Sequence, residues 1–267
     1  MLSSLQPYFH IARIRLISQL AYRFDVIIIF LSNIVMLLTQ VFLWRSVYAG
    51  KGLVAGVSES QMITYAVFST LMGLLMHTTV QDIIVQKVVT GEIAIDFLKP
   101  VNPLLNWMSD DIGSNISMFC LNSIPIALLS IFFFKPVLQL NLVSALLIIP
   151  AVMLSFAILW AMFAVIGLLA FWFMELGNLG IVQGQVIRLL AGSFIPLWFF
   201  PDWVQNISRF LPFQYIAQFP LSIFIGKLSN REIVNGLLIQ LLWLALITLT
   251  TYIIWKKAQK HVLVQGG

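Results

Sequence analysis

Residues 136–174, PVLQLNLVSALLIIPAVMLSFAILWAMFAVIGLLAFWFM, form a stretch of 39 residues without a charged side chain. A helix needs roughly 20 apolar residues to cross a hydrocarbon core of about 30 Å. The stretch is therefore long enough for one tilted or extended membrane span, which we place at about 142–171. It predicts a helical membrane protein.

The whole chain is also rich in hydrophobic residues and poor in charged ones. Of its 267 residues, 60% are hydrophobic and only 9% are charged, and the mean hydropathy is +0.98. Soluble domains carry about a quarter charged residues, so a soluble enzyme is excluded. The net charge of +5 fits cytoplasmic loops rich in Lys and Arg. Basic runs interleaved with aromatic residues are missing, so we expect no nucleic-acid partner.

Further runs of low charge predict the other membrane spans. The expected fold is an all-α polytopic membrane protein of one domain, 1–267, with six transmembrane helices at 26–44, 60–81, 112–134, 142–171, 180–199 and 233–255. Residues 210–226 are also uncharged, but they are few and are interrupted by Pro212 and Pro220. Because non-helical backbone at membrane depth needs protein or water around it, we expect a re-entrant or interfacial pair of helices there.

Charge counts give the expected orientation. With the N-terminus inside, eight Lys and Arg residues fall on the cytoplasmic side and six outside. We therefore expect both termini in the cytoplasm and a multi-pass protein of the cell membrane, in a bacterium the inner membrane. Residues 1–24 are expected to form an interfacial helix, or else a plain extension of the first span. Its apolar stripe consists of Leu2, Leu5, Phe9, Ala12, Leu16 and Leu20.

The chain lacks the sequence signatures of catalysis. Neither of its Gly-Lys pairs, at Lys51 and Lys227, is followed by Ser or Thr, as a phosphate-binding loop requires. A single cysteine, Cys120, excludes an internal disulfide and a cysteine-built metal site. Every acidic residue falls in a loop or at a predicted span end, which argues against ion-coupled transport.

The fifth predicted span carries most of the polar residues within the spans. Gln183, Gln185 and Arg188 are candidates for a substrate path, because ionisable residues in a membrane are costly and commonly functional. Gln185 and Arg188 share one helical face, which Ala191 and Gly192 are expected to continue. As alternatives, Arg188 pairs with Glu175 or a partner subunit, or reaches lipid headgroups.

The loop at 82–111 alternates charged and apolar residues. Its segment from Glu92 to Leu98 is expected to form a short helix that exposes Ile93, Phe97 and Leu98 and ends near Lys99. Such a helix is suited to docking a soluble partner. An interfacial helix on lipid headgroups is the alternative.

At these residues the chain resembles a known family. The segment 91–103, GEIAIDFLKPVNP, is similar to the cytoplasmic loop of ABC-2-type transporter permeases, in the subfamily of short six-span subunits. So are the segment 20–25, LAYRFD, before the first span, and the segment 191–203, AGSFIPLWFFPDW, followed by LPF at 211–213. The three motifs occur in the family's order over nearly the whole chain.

This resemblance implies a permease subunit of an ATP-binding cassette exporter. It would pair with a second permease, identical or homologous, and with two separate ATPase subunits that carry ATP and Mg, and would itself hold no cofactor. The second and fifth spans would line the path, and 200–231 would be an extracellular re-entrant segment. The implied ATPase-coupling residues are Gly91, Glu92, Ile93, Asp96, Phe97, Leu98, Lys99 and Pro100. The implied re-entrant residues are Pro196, Pro201, Trp203 and Pro212.

Two other classes stay open at this point. One is a self-contained secondary transporter or channel. The other is a membrane-embedded enzyme such as a lipid transferase, which needs clustered Asp, Glu or His. Asp110 and Asp111 are the only adjacent acidic pair, and no histidine lies near them in the sequence. The substrate is not readable from the sequence.

Overall fold

The protein is described by a computed structural model that covers residues 2–19, 23–138, 140–173 and 176–265. These residues form a bundle of α-helices with one short β-hairpin, which confirms the predicted fold class. The elements are α1 (Leu2–Gln19), α2 (Arg23–Tyr48), β1 (Leu53–Val54), β2 (Val57–Ser58), α3 (Glu59–Leu75), α4 (Val80–Val89), α5 (Ile93–Leu98), α6 (Pro103–Met118), a π-helical segment (Phe119–Ser123), α7 (Ile124–Phe134), α8 (Leu142–Leu168), α9 (Ala170–Phe173), α10 (Leu179–Leu190), α11 (Asp202–Arg209), α12 (Gln218–Phe224) and α13 (Asn230–Gln265).

Five helical stretches in the described part of the chain are long and apolar enough to cross a membrane. They are Phe24–Tyr48, Glu59–Val89, Pro103–Phe134, Leu142–Phe173 and Asn230–His261. The predicted span at 180–199 differs, because α10 has only 12 residues, about 18 Å of helix. The helix ends where Gly192 adopts a positive φ of 71°, four residues before Pro196.

The bundle has two ends, which we name after the short helices that lie there. At the α5 end, the ring of Trp172 lies 5.2 Å from that of His261 near the end of α13. At the α11 end, the Lys227 ammonium donates to the Ala55 carbonyl of the β-hairpin at 3.2 Å. The long helices run between these two ends.

Polar caps fix where three of the long helices begin. Ser58 and Gln61 form a reciprocal capping box at the start of α3. The Asn102 side chain accepts two backbone N–H bonds at the start of α6, where Pro103 occupies the first turn. Asn141 caps α8 by accepting from the Ser144 N–H at 2.7 Å. These starts are encoded locally, since each cap lies within three residues of its partner.

The central helix is α8, which packs along α13 and α4. In contrast, α10 touches α8 only lightly. One buried cluster near the α11 end contains Met62, Tyr65, Ile158 and Leu221. A second cluster near the α5 end contains Ile84, Trp107, Trp160 and Trp255.

Helix α1 packs closely against α6. A Cβ at Gly113 would lie 2.3 Å from the Ala12 carbonyl oxygen, so only glycine permits this approach. Arg15 Nε also lies 3.6 Å from an oxygen of Asp110. Phe9, from the predicted apolar stripe, is 76% exposed while Ala12 faces α6, so these two do not share one buried face. The other stripe residues, Leu2, Leu5, Leu16 and Leu20, lie outside the described side chains.

Candidate functional site

The predicted coupling segment contains a short helix, α5, which follows a turn at Gly91 with a positive φ of 77°. The sequence suggested that Ile93, Phe97 and Leu98 are all exposed, but the structure shows that they are not. Ile93 is 3% exposed and packs in the core, whereas Ile95 is 57% and Leu98 86% exposed. The expectation for Ile93 was wrong because a helix of six residues is too short for periodicity to tell its two faces apart.

The acidic residue of α5 ties it to α4. Asp96 is buried and accepts from the Lys87 ammonium at 2.5 Å and from that of Lys99 at 2.6 Å. Burial raises the pKa of Asp96, but the bonds and charges of the two lysines outweigh it and hold that pKa below its ordinary value. The carboxylate is therefore charged at neutral pH. Its contribution to stability is lost only as the pH falls through that lowered value.

The aromatic residue of α5 ties it to α13. The Phe97 ring stacks on Trp255 with centroids 5.4 Å apart, and Trp107 meets Trp255 edge-on at 6.0 Å. Phe97 is therefore part of the chain's own packing, which the sequence did not predict. The exposed part of α5 consists of Ala94, Ile95 and Leu98, flanked by Glu92, Lys99 and Pro100, which are also exposed.

A buried carboxylate joins the break between α3 and α4. Asp111 of α6 accepts bonds from the Thr78 hydroxyl at 2.7 Å, the Thr79 hydroxyl at 2.7 Å and the Thr79 N–H at 3.1 Å. The Trp160 indole of α8 donates to the same carboxylate at 3.1 Å. Asp111 therefore fixes the position of α4, and with it α5, relative to α6 and α8. We call this arrangement the Asp111 clamp.

The clamp residue was expected at the end of a span, and the structure shows that it is buried between helices there. Helix α6 begins at Pro103, so Asp111 lies inside a helical stretch that continues to Phe134. The carboxylate is 1% exposed. The predicted span at 112–134 begins directly after the last charged residue, so Asp111 necessarily falls outside it.

The three predicted path residues do not face the same way. Gln183 faces α8, where its amide N–H donates to the Met162 carbonyl at 3.1 Å. Gln185 and Arg188 are exposed. At about 100° per residue they lie roughly 200° and 140° around the helix from Gln183.

Arg188 lies in the last turn of α10 without a charged partner in the described part of the chain. It is nine residues from the start of α10, about 14 Å along the helix. Within the described ranges no acidic side chain pairs with it; Glu175, one expected partner, lies outside them. Ala191 and Gly192 do not continue its face, because both are buried.

The segment after α10 is unwound, and side chains from α3 and α12 bind part of its backbone. The Tyr65 hydroxyl donates to the Gly192 carbonyl at 2.7 Å, and the Ser69 hydroxyl donates to the Ser193 carbonyl. Gln218 accepts from the Leu197 N–H at 2.5 Å. Ser69 lies ten residues into α3, about 15 Å from its start, so its bond to the Ser193 carbonyl is made well inside the bundle.

The segment from α11 to α12 also reaches deep into the bundle. The Tyr215 carbonyl accepts from the Ser155 hydroxyl at 2.9 Å and from the Gln240 amide at 2.9 Å. Ser155 lies 13 residues into α8, about 20 Å from the α11 end. Lys227, after α12, is back at that end, where its ammonium lies 4.5 Å from the centre of the Trp198 ring.

The predicted proline and tryptophan positions fall at the joints of this region. Pro196 precedes a 3₁₀ turn at Leu197–Phe199, and Pro212 precedes another at Phe213–Tyr215. Pro201 precedes α11. Trp203, in the first turn of α11, is 67% exposed.

The geometry alone does not identify the protein family, but a comparison with known families does. A family model described as ABC-2 family transporter protein matches residues 34–266. The chain belongs to the ABC-2 transporter family. The resemblance stated from the motifs is thereby confirmed. No curated protein and no solved structure gives a significant match.

Membership makes this ABC-2 chain a membrane component of a transport system, and chains of this family work in general with ATPase subunits. The match begins within α2 and continues into the last turn of α13. It therefore covers α5, the Asp111 clamp, α10 and the segments around α11 and α12.

The sequence analysis missed several of the polar residues that shape this ABC-2 chain. Gln240 and Ser155 lie within predicted spans, yet both are fully buried and bind the Tyr215 carbonyl. Polar residues within otherwise apolar spans are the signal that could have identified them.

Proposed function

We propose that this chain is the permease subunit of an ATP-binding cassette exporter and forms the substrate path for separate ATPase subunits. The family match over residues 34–266 is the observation that carries this proposal. The chain has no phosphate-binding loop of its own, so the energy would come from a partner. We propose two ATPase subunits carrying ATP and Mg, and a second permease, identical or homologous.

We further propose that α5 is the coupling helix that contacts the ATPase. Its anchoring supports this role, because Asp96 and Phe97 tie it to α4 and α13, while Ile95 and Leu98 remain exposed. A helix that is fixed on one side and exposes apolar residues on the other can transmit the movement of a bound soluble partner to the helices that hold it. Leu98, the more exposed of the two, would enter a groove of the ATPase.

Replacing Leu98 with aspartate is expected to remove coupling without unfolding the chain. Burial of a leucine stabilises by roughly 1.5–3 kcal/mol, about a ten- to hundredfold change in ATPase affinity. The measurement is the amount of ATPase, and the ATP hydrolysis, recovered with tagged full-length chain in mild detergent. The matched control is Leu53→Asp, since Leu53 is 69% exposed at the opposite end. Equal recovery with both variants would remove α5 from the coupling role.

The α10 face with Gln185 and Arg188 is proposed to line the path between two permeases. If α10 lies within the membrane, an exposed guanidinium about 14 Å along this helix needs water or a partner. A central cavity between two chains supplies the water. Gln183, which faces α8, would not belong to this face.

Water around Arg188 can be tested without knowing the substrate. In a Cys120→Ser background, Arg188→Cys should react with a membrane-impermeant thiol reagent at least tenfold faster than Leu146→Cys, whose position is 62% exposed on α8. Arg188→Ala should leave the amount of chain in the membrane unchanged but alter ATP hydrolysis per complex. Equally slow labelling of both cysteines, or a mere loss of protein, would make Arg188 a structural anchor.

Residues 200–231 are proposed to form a re-entrant cap at the outer end of the path. The Tyr215 contacts with Ser155 and Gln240 support a turn about 20 Å below the α11 end, and Lys227 supports the return. With both termini in the cytoplasm of the cell membrane, in a bacterium the inner membrane, this cap would be extracellular.

Cysteine accessibility tests this cap. Asp202→Cys and Lys227→Cys should both react with an impermeant reagent added outside intact cells, whereas Lys99→Cys should react only after the cells are opened. All three positions are exposed. If Asp202 and Lys227 react from opposite sides, the segment crosses the bilayer and no cap exists.

A self-contained secondary transporter remains the alternative, and Asp111 is the observation that bears on it. A proton carrier needs a buried carboxyl that is free to bind and release its proton. Asp111 instead accepts bonds from Thr78, Thr79 and Trp160, so its oxygens already serve to hold α4 against α6 and α8. Transport abolished by a proton uncoupler but retained without ATP would favour this alternative.

A further inference from the structure

The last helix, α13, has one exposed face that changes from apolar to basic along its length. Residues 233–255 hold no charged side chain. The helix then continues with three exposed lysines, Lys256, Lys257 and Lys260, which we call the lysine stripe. At about 100° per residue, all three lie within roughly 80° of Leu249, which is 56% exposed. Trp255 and Ala258, roughly 120° and 180° away from Leu249, are buried. The lysine stripe therefore continues the exposed face of the helix.

The uncharged part of this face has the length of a membrane crossing. Exposed leucines and an isoleucine dominate it: Leu238, Leu242, Leu246, Leu249 and Ile253. It is bounded on the same side of the helix by Arg231, 25 residues or about 38 Å before Lys256. The hydrocarbon core of a bilayer is about 30 Å thick, and long cationic side chains reach outward beyond it. The two charged ends of this face therefore fit the two headgroup layers.

The two ends of α13 differ in charge. At the α11 end, Arg231 is followed by Glu232, the last acidic residue of the sequence, so the two charges cancel. At the α5 end, no member of the lysine stripe forms an ion pair within the described ranges. The Lys256 ammonium lies 5.6 Å from the centre of the Tyr252 ring, and tyrosine is enriched where helices leave a membrane. The α5 end of this face thus carries an uncompensated positive charge at headgroup depth.

We propose that the lysine stripe binds the phosphate groups of anionic lipids in the leaflet at the α5 end. Lysines that directly follow a membrane span attract anionic lipid, by roughly fivefold for each lysine. The exposed apolar face of α13 would hold the acyl chains of the same lipids. This interaction needs neither an ATPase nor a second permease, so it stands or falls independently of the proposed function.

Photolabelling in liposomes tests the proposal. Full-length chain is placed in phosphatidylcholine liposomes with equal trace amounts of phosphatidylglycerol or phosphatidylcholine that carries a diazirine in its acyl chain, close to the glycerol. The phosphatidylglycerol probe should label residues 249–255 at least about fivefold more than the phosphatidylcholine probe. Residues 234–241, next to the cancelling charges, should be labelled about equally by both probes. Because both leaflets contain the probe, the result does not depend on the orientation of the chain.

Two triple variants remove the same charge from opposite ends of the bundle. Changing the lysine stripe, Lys256→Gln with Lys257→Gln and Lys260→Gln, should bring the labelling ratio at residues 249–255 close to one. The matched control, Arg45→Gln with Lys51→Gln and Arg231→Gln, changes exposed residues at the α11 end and should leave that ratio intact.

Salt gives a test on the unmodified chain, which holds even where a triple variant is poorly produced. Raising the ionic strength from roughly 0.1 to 1 M shortens the screening length from about 10 to 3 Å and should lower the labelling ratio. A ratio near one in the unmodified chain, or a preference that survives both salt and the loss of the lysine stripe, would overturn the proposal. So would a stripe variant that loses a bound protein in mild detergent while the unmodified chain shows no lipid preference.

Discussion

Asp111→Ala is expected to lower the stability of the detergent-solubilised chain by at least about 3 kcal/mol and to abolish coupled ATP hydrolysis. The substitution leaves the buried Trp160 indole N–H unpaired and removes the acceptor of the half-buried Thr78 and Thr79 donors. Each unpaired buried donor costs roughly 1–3 kcal/mol. It also releases the break between α3 and α4, so that a movement of α5 would no longer reach α6 and α8. Thermal unfolding and ATP hydrolysis per complex are the two measurements.

The neighbouring carboxylate is the matched control. Asp110 is partly exposed, and its ion pair with Arg15 is long, at 3.6 Å. Asp110→Asn should therefore cost no more than about 1 kcal/mol, as partly exposed ion pairs do. Equal, small effects of the two substitutions would mean that the clamp does not hold α4 in place.

Gly192→Ala is expected to destabilise the chain by about 2–4 kcal/mol. A Cβ at this position would lie 2.6 Å from the Gln218 amide oxygen and 3.2 Å from its Cβ, and φ is +71°. The same amide oxygen accepts from the Leu197 N–H, so moving it breaks a bond that holds the unwound segment. The left-handed conformation adds about 1–2 kcal/mol for any residue with a Cβ.

Gly184→Ala should act in the opposite direction. Gly184 lies within α10, and an added Cβ there would meet only the Phe163 ring at 4.0 Å. Alanine favours a helix over glycine by about 0.8–1 kcal/mol. Melting temperatures of the two variants, measured in the same detergent, should therefore fall on opposite sides of the parent. If both variants show the same small shift, position 192 accepts a Cβ and the backbone there does not depend on glycine.

The fold class and most spans could be predicted from the sequence, because a long uncharged run can make all its backbone hydrogen bonds within a membrane by forming a helix. The exception is the run at 180–199. Its hydropathy is that of a span, but Gly192 and Pro196 interrupt the helix, and the hydroxyls of Tyr65 and Ser69 from α3 bind the freed carbonyls. Those partners are more than 120 residues away in the chain, so no local pattern reports them.

The candidate site was only partly predictable for the same reason. The position of α5 followed from its motif, but the burial of Ile93 and the stacking of Phe97 depend on α13, at the far end of the chain. Asp111 was visible as one of a pair of acidic residues. Its role depends on donors from Thr78 and Thr79, in the break between α3 and α4, and from Trp160 of α8, which sequence spacing cannot bring together.

Photocrosslinking from α5 tests most directly the claim that a separate ATPase drives this chain. A benzoylphenylalanine introduced at Leu98, which is 86% exposed, should form an adduct in native membranes with a chain that carries a Gly-x-x-x-x-Gly-Lys-Ser/Thr motif. The same group at Leu53, 69% exposed at the α11 end, should not reach that chain. Adducts of Leu98 with lipid alone, or an ATPase adduct from Leu53, would contradict the account.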